Sequence, residues 1–119
     1  MYSEKIIEEF NNPQNFGVIK GASGVGKVVC DIGNEIIKFF ATAENKKIVD
    51  VQFQTFGGIV AIALSSFATK IMKDKSFDEI KKIQVKDLLN VSGEIPESKM
   101  YIAQAVVNAM HDMVDDCME

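Results

Sequence analysis

The sequence predicts an α+β fold, in which a small antiparallel sheet of three strands is covered on one face by helices. Three short segments of strand-like composition follow one another in the first half of the chain. Apolar residues at helical spacing fill the second half. Strands followed by helices within only 119 residues indicate a single domain, residues 1–119.

The first predicted element is a short amphipathic helix. Ser3 is a favourable N-cap, and apolar residues recur at helical spacing over residues 6–10. Asn11-Asn12-Pro13 ends the helix, because proline disfavours the helical conformation of the residue before it. Four glycines between Gly17 and Gly26 then predict an irregular connector.

Three strands are predicted next, at Lys27–Cys30, Glu35–Ala43 and Ile48–Thr55. Turn-rich breaks at 31–34 and 44–47 separate them, so we expect an antiparallel meander. In the third strand apolar residues alternate with glutamines, which indicates one apolar and one polar face. Helices are therefore expected to cover one face of the sheet.

Helices fill the rest of the chain. The segment after Gly58 is nearly all apolar for two turns and predicts a buried central helix. Ser76 and Glu79 form the spacing of a capping box before a further helix, and Val85–Val91 predicts another short one. From residue 97 onward the spacing predicts a final amphipathic helix, with a short acidic C-terminal tail from about residue 112.

Composition excludes several classes of partner and location. The net charge is −4, and all thirteen cations are lysines. The chain therefore lacks the arginine guanidinium groups that bind phosphates and base edges through two hydrogen bonds, and no nucleic-acid role is expected. No apolar run approaches the roughly 18 residues that span a membrane, so no membrane role is expected. Cys30 and Cys117 form no CxxC pair, and no signal-peptide pattern is seen, which predicts a cytoplasmic protein.

The individual motifs indicate no catalytic site. Residues 21–27 resemble a phosphate-binding loop only superficially, because a strand rather than a helix is predicted to follow Lys27. His111 lies beside acidic residues at the end of the last helix, where it is either an ordinary solvated side chain or a weak divalent-ion ligand. The residues alone predict a binding or scaffold module that is not an enzyme.

Longer segments of the chain resemble one known family in order and spacing. The segments are 1–17, 24–26, 36–40, 48–57, 61–69 and Lys99-Met100. Over about residues 1–113 the chain is similar to the iron–sulfur cluster assembly scaffolds of the IscU and NifU N-terminal family.

This resemblance implies an α+β fold and a role in cluster assembly. Members of the family receive sulfur from a cysteine desulfurase. They hold a nascent [2Fe–2S] cluster, or a zinc ion in its place, at three cysteines assisted by an aspartate and a histidine. Thiolates suit this work, because they are soft anionic ligands for iron and zinc.

The chain departs from the family at every cysteine ligand. The Cys-Gly-Asp turn falls on residues 33–35, the Phe-Gly-Cys-Gly turn on 56–59 and the Lys-Met-His-Cys segment on 99–102. The five positions that match the family's cluster site are Gly33, Glu35, Gly58, Tyr101 and Ile102. Only the acidic position survives in kind. We therefore expect no cluster or metal bound in the family's way, and a partner-binding or regulatory role instead.

Two alternatives remain open. One is a divergent metal-binding or metal-carrier domain that uses Cys30, Asp31, Glu35 or His111. The other is a protein that regulates a cysteine-bearing scaffold relative by contacting it.

Part of one family partner surface is retained. The family's Leu-Pro-Pro-Val-Lys segment, which an Hsp70-type chaperone recognises, falls on residues 95–99 and keeps Ile95, Pro96 and Lys99. A proline-led helix start with an acidic first turn explains the same residues equally well. The resemblance thus implies a cysteine desulfurase and an Hsp70-type chaperone system as candidate partners.

Overall fold

A computed structural model describes residues 2–119; residue 1 of the predicted domain lies outside the described residues. It confirms the predicted α+β class. In chain order the elements are α1 (Glu4–Asn11), β1 (Gly24–Val29), β2 (Ile36–Glu44), β3 (Lys47–Phe56), α2 (Ile59–Met72), α3 (Phe77–Lys81), α4 (Val85–Ser92), a short 3₁₀ helix (Glu97–Lys99) and α5 (Met100–Cys117).

The sheet is an antiparallel meander in the order β1-β2-β3. Gly26, Phe39 and Phe53 face one another across the three strands in one row. The phenylalanines of this row are completely buried, so this is the face that the helices cover. α5 packs on β1 and β2, and α2 packs on β3, which confirms the predicted covering of one face.

β1 begins three residues earlier than its composition predicts. Gly24 and Gly26 belong to the strand rather than to the connector. A Cβ atom on Gly26 would overlap the carbonyl oxygen of Ala109 and the backbone nitrogen of Met113 in α5. Glycine is needed here because it lets the backbone of β1 approach the backbone of α5 closely.

The predicted acidic tail from residue 112 is wrong, because α5 continues to Cys117. Met113 and Val114 are completely buried. Asp116 accepts a 2.8 Å hydrogen bond from the backbone N–H of Val25 at the edge of β1. These contacts hold the last turns of the helix against the sheet.

Polar side chains fasten α1 to the rest of the domain. The predicted N-cap is confirmed, and Ser3 also donates a 2.9 Å hydrogen bond to the carbonyl of Ser92. The buried carboxylate of Glu9 accepts hydrogen bonds from Ser66 at 2.6 Å and from Lys70 at 2.8 Å. Because Ser66 and Lys70 lie on α2, this network joins the two helices.

The remaining helices agree with the sequence patterns. Ten of the fourteen residues of α2 are buried, as its apolar composition predicts. The Ser76–Glu79 capping box at the start of α3 is present in both directions. Within residues 2–119, no helix is long and apolar enough to cross a membrane.

Candidate functional site

Three connections meet at one end of the domain: the β1–β2 loop, the β3–α2 junction and the start of α5. The loop is closed by two backbone hydrogen bonds, from Cys30 N to the Glu35 carbonyl (2.8 Å) and from Asn34 N to the Cys30 carbonyl (2.9 Å). Asn34 has a φ of 60°, a left-handed conformation that asparagine tolerates better than most residues. This tight loop positions the Glu35 side chain directly before β2.

A hydrogen bond links Glu35 to the first turn of α5. The Tyr101 hydroxyl donates to Glu35 Oε2 at 2.7 Å. Glu35 is only 8% exposed, and its other carboxylate oxygen, Oε1, is buried with no hydrogen-bond partner among the described residues. The site is therefore built around a buried carboxylate that is satisfied on one side only.

The Tyr101 phenol remains protonated at neutral pH. Its hydrogen bond to Glu35, followed by burial and by the negative charge of the same carboxylate, raises the pKa of Tyr101 to about 12. A phenolate beside a carboxylate would place two negative charges together, which disfavours ionisation. Tyr101 thus acts at this site as a hydrogen-bond donor.

The glycine at position 33 leaves the room that this pair occupies. A Cβ atom on Gly33 would lie 2.5 Å from both carboxylate oxygens of Glu35 and 2.5 Å from the Tyr101 hydroxyl oxygen. A side chain at this position would have to displace the tips of both partners. Gly33, Glu35 and Tyr101 therefore form one interdependent unit, named here the Glu35–Tyr101 pair with its glycine.

The other two family positions adjoin the same carboxylate. Gly58 caps the N-terminus of α2, and a Cβ atom there would meet no atom of another described residue outside its immediate neighbours and helix backbone within 4 Å. Ile102 is buried in the core. Both line a cavity of about 70 Å³ together with Glu35 and Lys99. The structure thus brings all five predicted positions to one place.

The donors present at this place do not fit a [2Fe–2S] cluster or a thiolate zinc site. Gly33, Gly58 and Ile102 supply no ligand atom. The only side-chain donors among the five positions are a carboxylate and a protonated phenol. Oxygen donors of this kind suit hard cations, whereas clusters and structural zinc sites use cysteine and histidine.

Cys30 does not substitute for the missing thiolates. The residue is buried, and the pKa of its thiol is raised by that burial and by the charges of Glu35 and Asp31. A thiol that stays protonated is a poor ligand and a poor nucleophile. Within the described part of the chain, no three His, Cys, Asp or Glu side chains are grouped closely enough to hold a metal. The alternative set of Cys30, Asp31 and Glu35 is therefore not assembled as a metal site.

His111 lies apart from this site. One of its ring nitrogens is 3.0 Å from the carbonyl oxygen of Ile83, two residues after the end of α3. It comes ten residues after Tyr101 on α5, which corresponds to about 15 Å along the helix axis. His111 therefore does not complete a ligand set with Glu35.

The segment that matches the chaperone motif leads into α5. Ile95 is partly buried and packs against the core. Pro96 caps the 3₁₀ helix that precedes α5, and Lys99 lines the small cavity beside Glu35. The structure shows a proline-led helix start here, while recognition by a chaperone stays a prediction.

The Glu35–Tyr101 hydrogen bond is the feature that the sequence did not reveal. The sequence identifies Tyr101 as the replacement of a family histidine, and Glu35 as the surviving acid and a candidate metal ligand, without relating the two residues. Three replacements together could have indicated the pair. One ligand position carries a hydrogen-bond donor, another carries an acid and a third carries a glycine.

Comparison with solved structures identifies the class of domain. A NifU-like N-terminal structure from Brucella abortus matches with a TM-score of 0.81 and 13% identity, covering 98% of this chain and 93% of the other. A putative iron–sulfur cluster assembly scaffold protein for the SUF system from Fervidobacterium islandicum matches with a TM-score of 0.80 and 15% identity, covering 95% and 96%. These similarities show that the fold is the one found in NifU-like scaffold domains.

Sequence comparison identifies the family. The model of the NifU-like N terminal domain matches residues 1–117. An iron–sulfur cluster assembly scaffold protein IscU of Archaeoglobus fulgidus is 34% identical over 116 residues, covering 98% of this chain and 76% of the relative. The nitrogen fixation protein NifU of Nostoc sp. is 39% identical over 110 residues, covering 84% of this chain and 36% of that longer protein. The chain belongs to the NifU-like N-terminal domain family of iron–sulfur cluster assembly scaffolds.

Proposed function

We propose that this protein acts in iron–sulfur cluster assembly by binding partner proteins and does not hold a cluster at the family site. The observation that carries the proposal is the 2.7 Å hydrogen bond from Tyr101 to Glu35, with a glycine where the family places a ligand. The pair occupies the space into which a side chain at position 33 would project. In this proposal the protein is not an enzyme.

The candidate partners are a cysteine desulfurase, an Hsp70-type chaperone and a cysteine-bearing scaffold relative. Family membership over residues 1–117 supports all three, because the framework is intact while the ligands are absent. Contact with a scaffold relative would make this protein a regulator of that relative. Contact with the desulfurase or the chaperone would make it a competitor for the same partners.

The metal-carrier alternative has one supporting observation. Glu35 Oε1 is buried without a hydrogen-bond partner among the described residues, and such an atom is costly unless a donor or cation meets it. The shortage of further ligands around it argues against a specific site. Metal measurement therefore belongs in the test.

The test combines metal content with partner binding. The protein is reconstituted anaerobically with iron and sulfide beside a cysteine-bearing family scaffold as the positive control, and bound iron, acid-labile sulfide, zinc and visible absorption are measured. Binding to purified desulfurase, chaperone and scaffold relative is measured by calorimetry. We expect no stoichiometric cluster or zinc, and binding to at least one of the three proteins.

Two results would overturn the proposal. One is a stoichiometric cluster or metal in the wild-type protein that is lost in Glu35→Ala or Cys30→Ser. The other is an absence of binding to all three partner proteins under conditions in which the control scaffold binds.

A further inference from the structure

The sheet face that the helices leave open carries an apolar row at one end. Val29, Ile36 and Phe56 lie opposite one another across the three strands. Val29 is 52% exposed and Phe56 is 73% exposed. Since Ile37, the next residue after Ile36, is completely buried on the helix side, the row points away from the helices.

The other half of this open face is covered. Phe40 points in the same direction as Ile36 but is only 6% exposed. The connector that precedes β1 starts at the outer edge of β3, where Gly17 N donates to the carbonyl of Phe53 at 2.9 Å. Gly17 lies against the side chain of Gln52, which is on the open face opposite Phe40. On the strands of this open face, the exposed large apolar side chains, Val29 and Phe56, thus lie at the uncovered end.

A groove adjoins the apolar row. It has a volume of about 330 Å³, and its apolar walls are Phe16, Ile36 and Phe56. Phe16 packs edge to face on the buried ring of Phe53, with ring centroids 5.4 Å apart, so this wall is held in place by the core. The groove is large enough for an apolar side chain of another molecule, and it is named here the open-face groove.

The charge beside the groove is positive. Among the described residues, Lys38 is the only charged one that lines it, and Lys38 lies directly opposite Lys27 on β1. Neither lysine belongs to an ion pair within residues 2–119, where the ion pairs are Lys70–Glu9 and Lys81–Asp115. Two like charges opposite each other repel, and a carboxylate placed between them would relieve that repulsion.

We propose that the open-face groove is a docking surface for a partner protein that presents an apolar side chain flanked by carboxylates. The apolar side chain would lie between Phe16 and Phe56, and the carboxylates would meet Lys27 and Lys38. This inference rests on the proposed function, in which the protein acts by binding partners. It adds the face that is used and the chemistry of what binds there.

A second copy of the chain is a less suitable occupant. In a symmetric dimer the same patch meets itself, so both copies would bring a Lys27–Lys38 pair to the contact. The described lining of the groove supplies no anion to neutralise these lysines. A separate acidic partner satisfies the lysines directly.

The experiment uses two short synthetic peptides, one with leucines flanked by glutamates and one with the glutamates replaced by lysines. Each is titrated into the ¹⁵N-labelled full chain, and amide shifts are followed by NMR. We expect the glutamate peptide to shift the signals of residues 29, 36 and 56 and the lysine peptide to leave them unchanged. Phe56→Ser should weaken binding about tenfold or more, a loss of about 1.4 kcal/mol.

Two further variants make the test specific. The double variant Lys27→Glu/Lys38→Glu should lose the glutamate peptide and gain the lysine peptide. Val18→Ser removes a similarly exposed apolar residue, at 53%, that does not line the groove, and should bind as the wild type does. Because the changed residues are at least partly exposed, circular dichroism should show an unchanged fold in all of them.

Three results would overturn the inference: no shift with the glutamate peptide, equal shifts with both peptides, or a dimer in sedimentation velocity that Phe56→Ser abolishes. Failure of the proposed function is distinguishable, because it is decided by binding of the wild-type protein to the assembly proteins. If the wild type binds those proteins and no variant changes peptide or protein binding, the proposed function stands and the groove is not the docking surface.

Discussion

The Tyr101 hydroxyl donates a 2.7 Å hydrogen bond to Glu35 Oε2 across 66 residues of sequence. The bond joins the β1–β2 loop to the first turn of α5, and Gly33 provides the space for it. In this family member a bond between two of its own side chains therefore stands where the resemblance implies metal ligands. The first three predictions test whether these residues act as one unit.

The first prediction concerns the ionisation of Tyr101. The chain has two tyrosines, so Tyr2→Phe leaves Tyr101 as the only one. We expect its tyrosinate absorbance to develop near pH 12, above the ordinary value of 10.0, because Glu35 favours the protonated phenol. Glu35→Gln in the same background should lower this pKa by removing the negative charge. A Tyr101 that titrates identically with and without Glu35 would contradict the assigned contact.

The same shift has a consequence for stability. The pKa of Tyr101 is higher in the folded state than in the unfolded state. Its contribution to the free energy of unfolding is therefore complete below the unfolded pKa of about 10, and it is lost as the pH rises through about 12. We expect the denaturant midpoint of the wild type to fall more steeply over this range than that of Tyr101→Phe. Equal slopes for the two proteins would show that the phenol does not contribute in this way.

The second prediction concerns Gly33. In Gly33→Ala the new Cβ atom would lie 2.5 Å from the Tyr101 hydroxyl and the Glu35 carboxylate, so the tips of both side chains must shift. We expect this shift to disturb their hydrogen bond and to move the Tyr101 pKa back towards its ordinary value. Gly58→Ala is the matched control, because its Cβ atom would meet nothing within 4 Å. An unchanged Tyr101 titration in Gly33→Ala would show that the three residues are not interdependent.

Hydrophobic periodicity predicted most of the helices and strands, but the glycines of β1 made the start of that strand look like a loop. The alternation in β3 and the helical spacing of α2 and α5 are local patterns, and each gave the right element. β1 was predicted too short, because Gly24 and Gly26 carry no strand-like side chain. Their presence reflects a close approach to α5, more than eighty residues later, which no local pattern contains.

The sequence predicted where the candidate site lies, but not which side chains contact each other there. The resemblance predicts that Gly33, Glu35 and Tyr101 lie together, because the matching positions of the family form one ligand site. The hydrogen bond itself depends on the rotamers of two side chains from distant segments. The resemblance describes ligands that the chain lacks, so it held no information about the contact that replaces them.

The third prediction restores the family's ligands. The triple variant Gly33→Cys/Gly58→Cys/Ile102→Cys supplies three thiols while retaining Tyr101. Because a side chain at position 33 collides with the Glu35–Tyr101 pair, we expect little cluster after anaerobic reconstitution with iron and sulfide. Adding Tyr101→His removes the phenol and supplies an imidazole ligand, and should raise the cluster content. Equal iron and sulfide content in the two variants would show that the pair does not obstruct the site.

The fourth prediction concerns the network between α1 and α2. Ser66 donates to Glu9 Oε2 at 2.6 Å and accepts a 2.7 Å hydrogen bond from the backbone N–H of Gln14. Ser66→Ala removes both bonds at a buried position, and leaving buried polar groups unpaired costs about 1–3 kcal/mol of unfolding free energy. Chemical denaturation measures this loss.

Lys81→Ala is the control for that variant, because it breaks an ion pair of similar length, 2.7 Å to Asp115, between partly exposed side chains. Exposed pairs contribute about 0–1 kcal/mol, since water and salt screen their charges. We therefore expect Ser66→Ala to be clearly the more destabilised of the two, with α1 exchanging its amide hydrogens faster than in the wild type. If Ser66→Ala costs no more than Lys81→Ala, the buried network does not hold α1 in place.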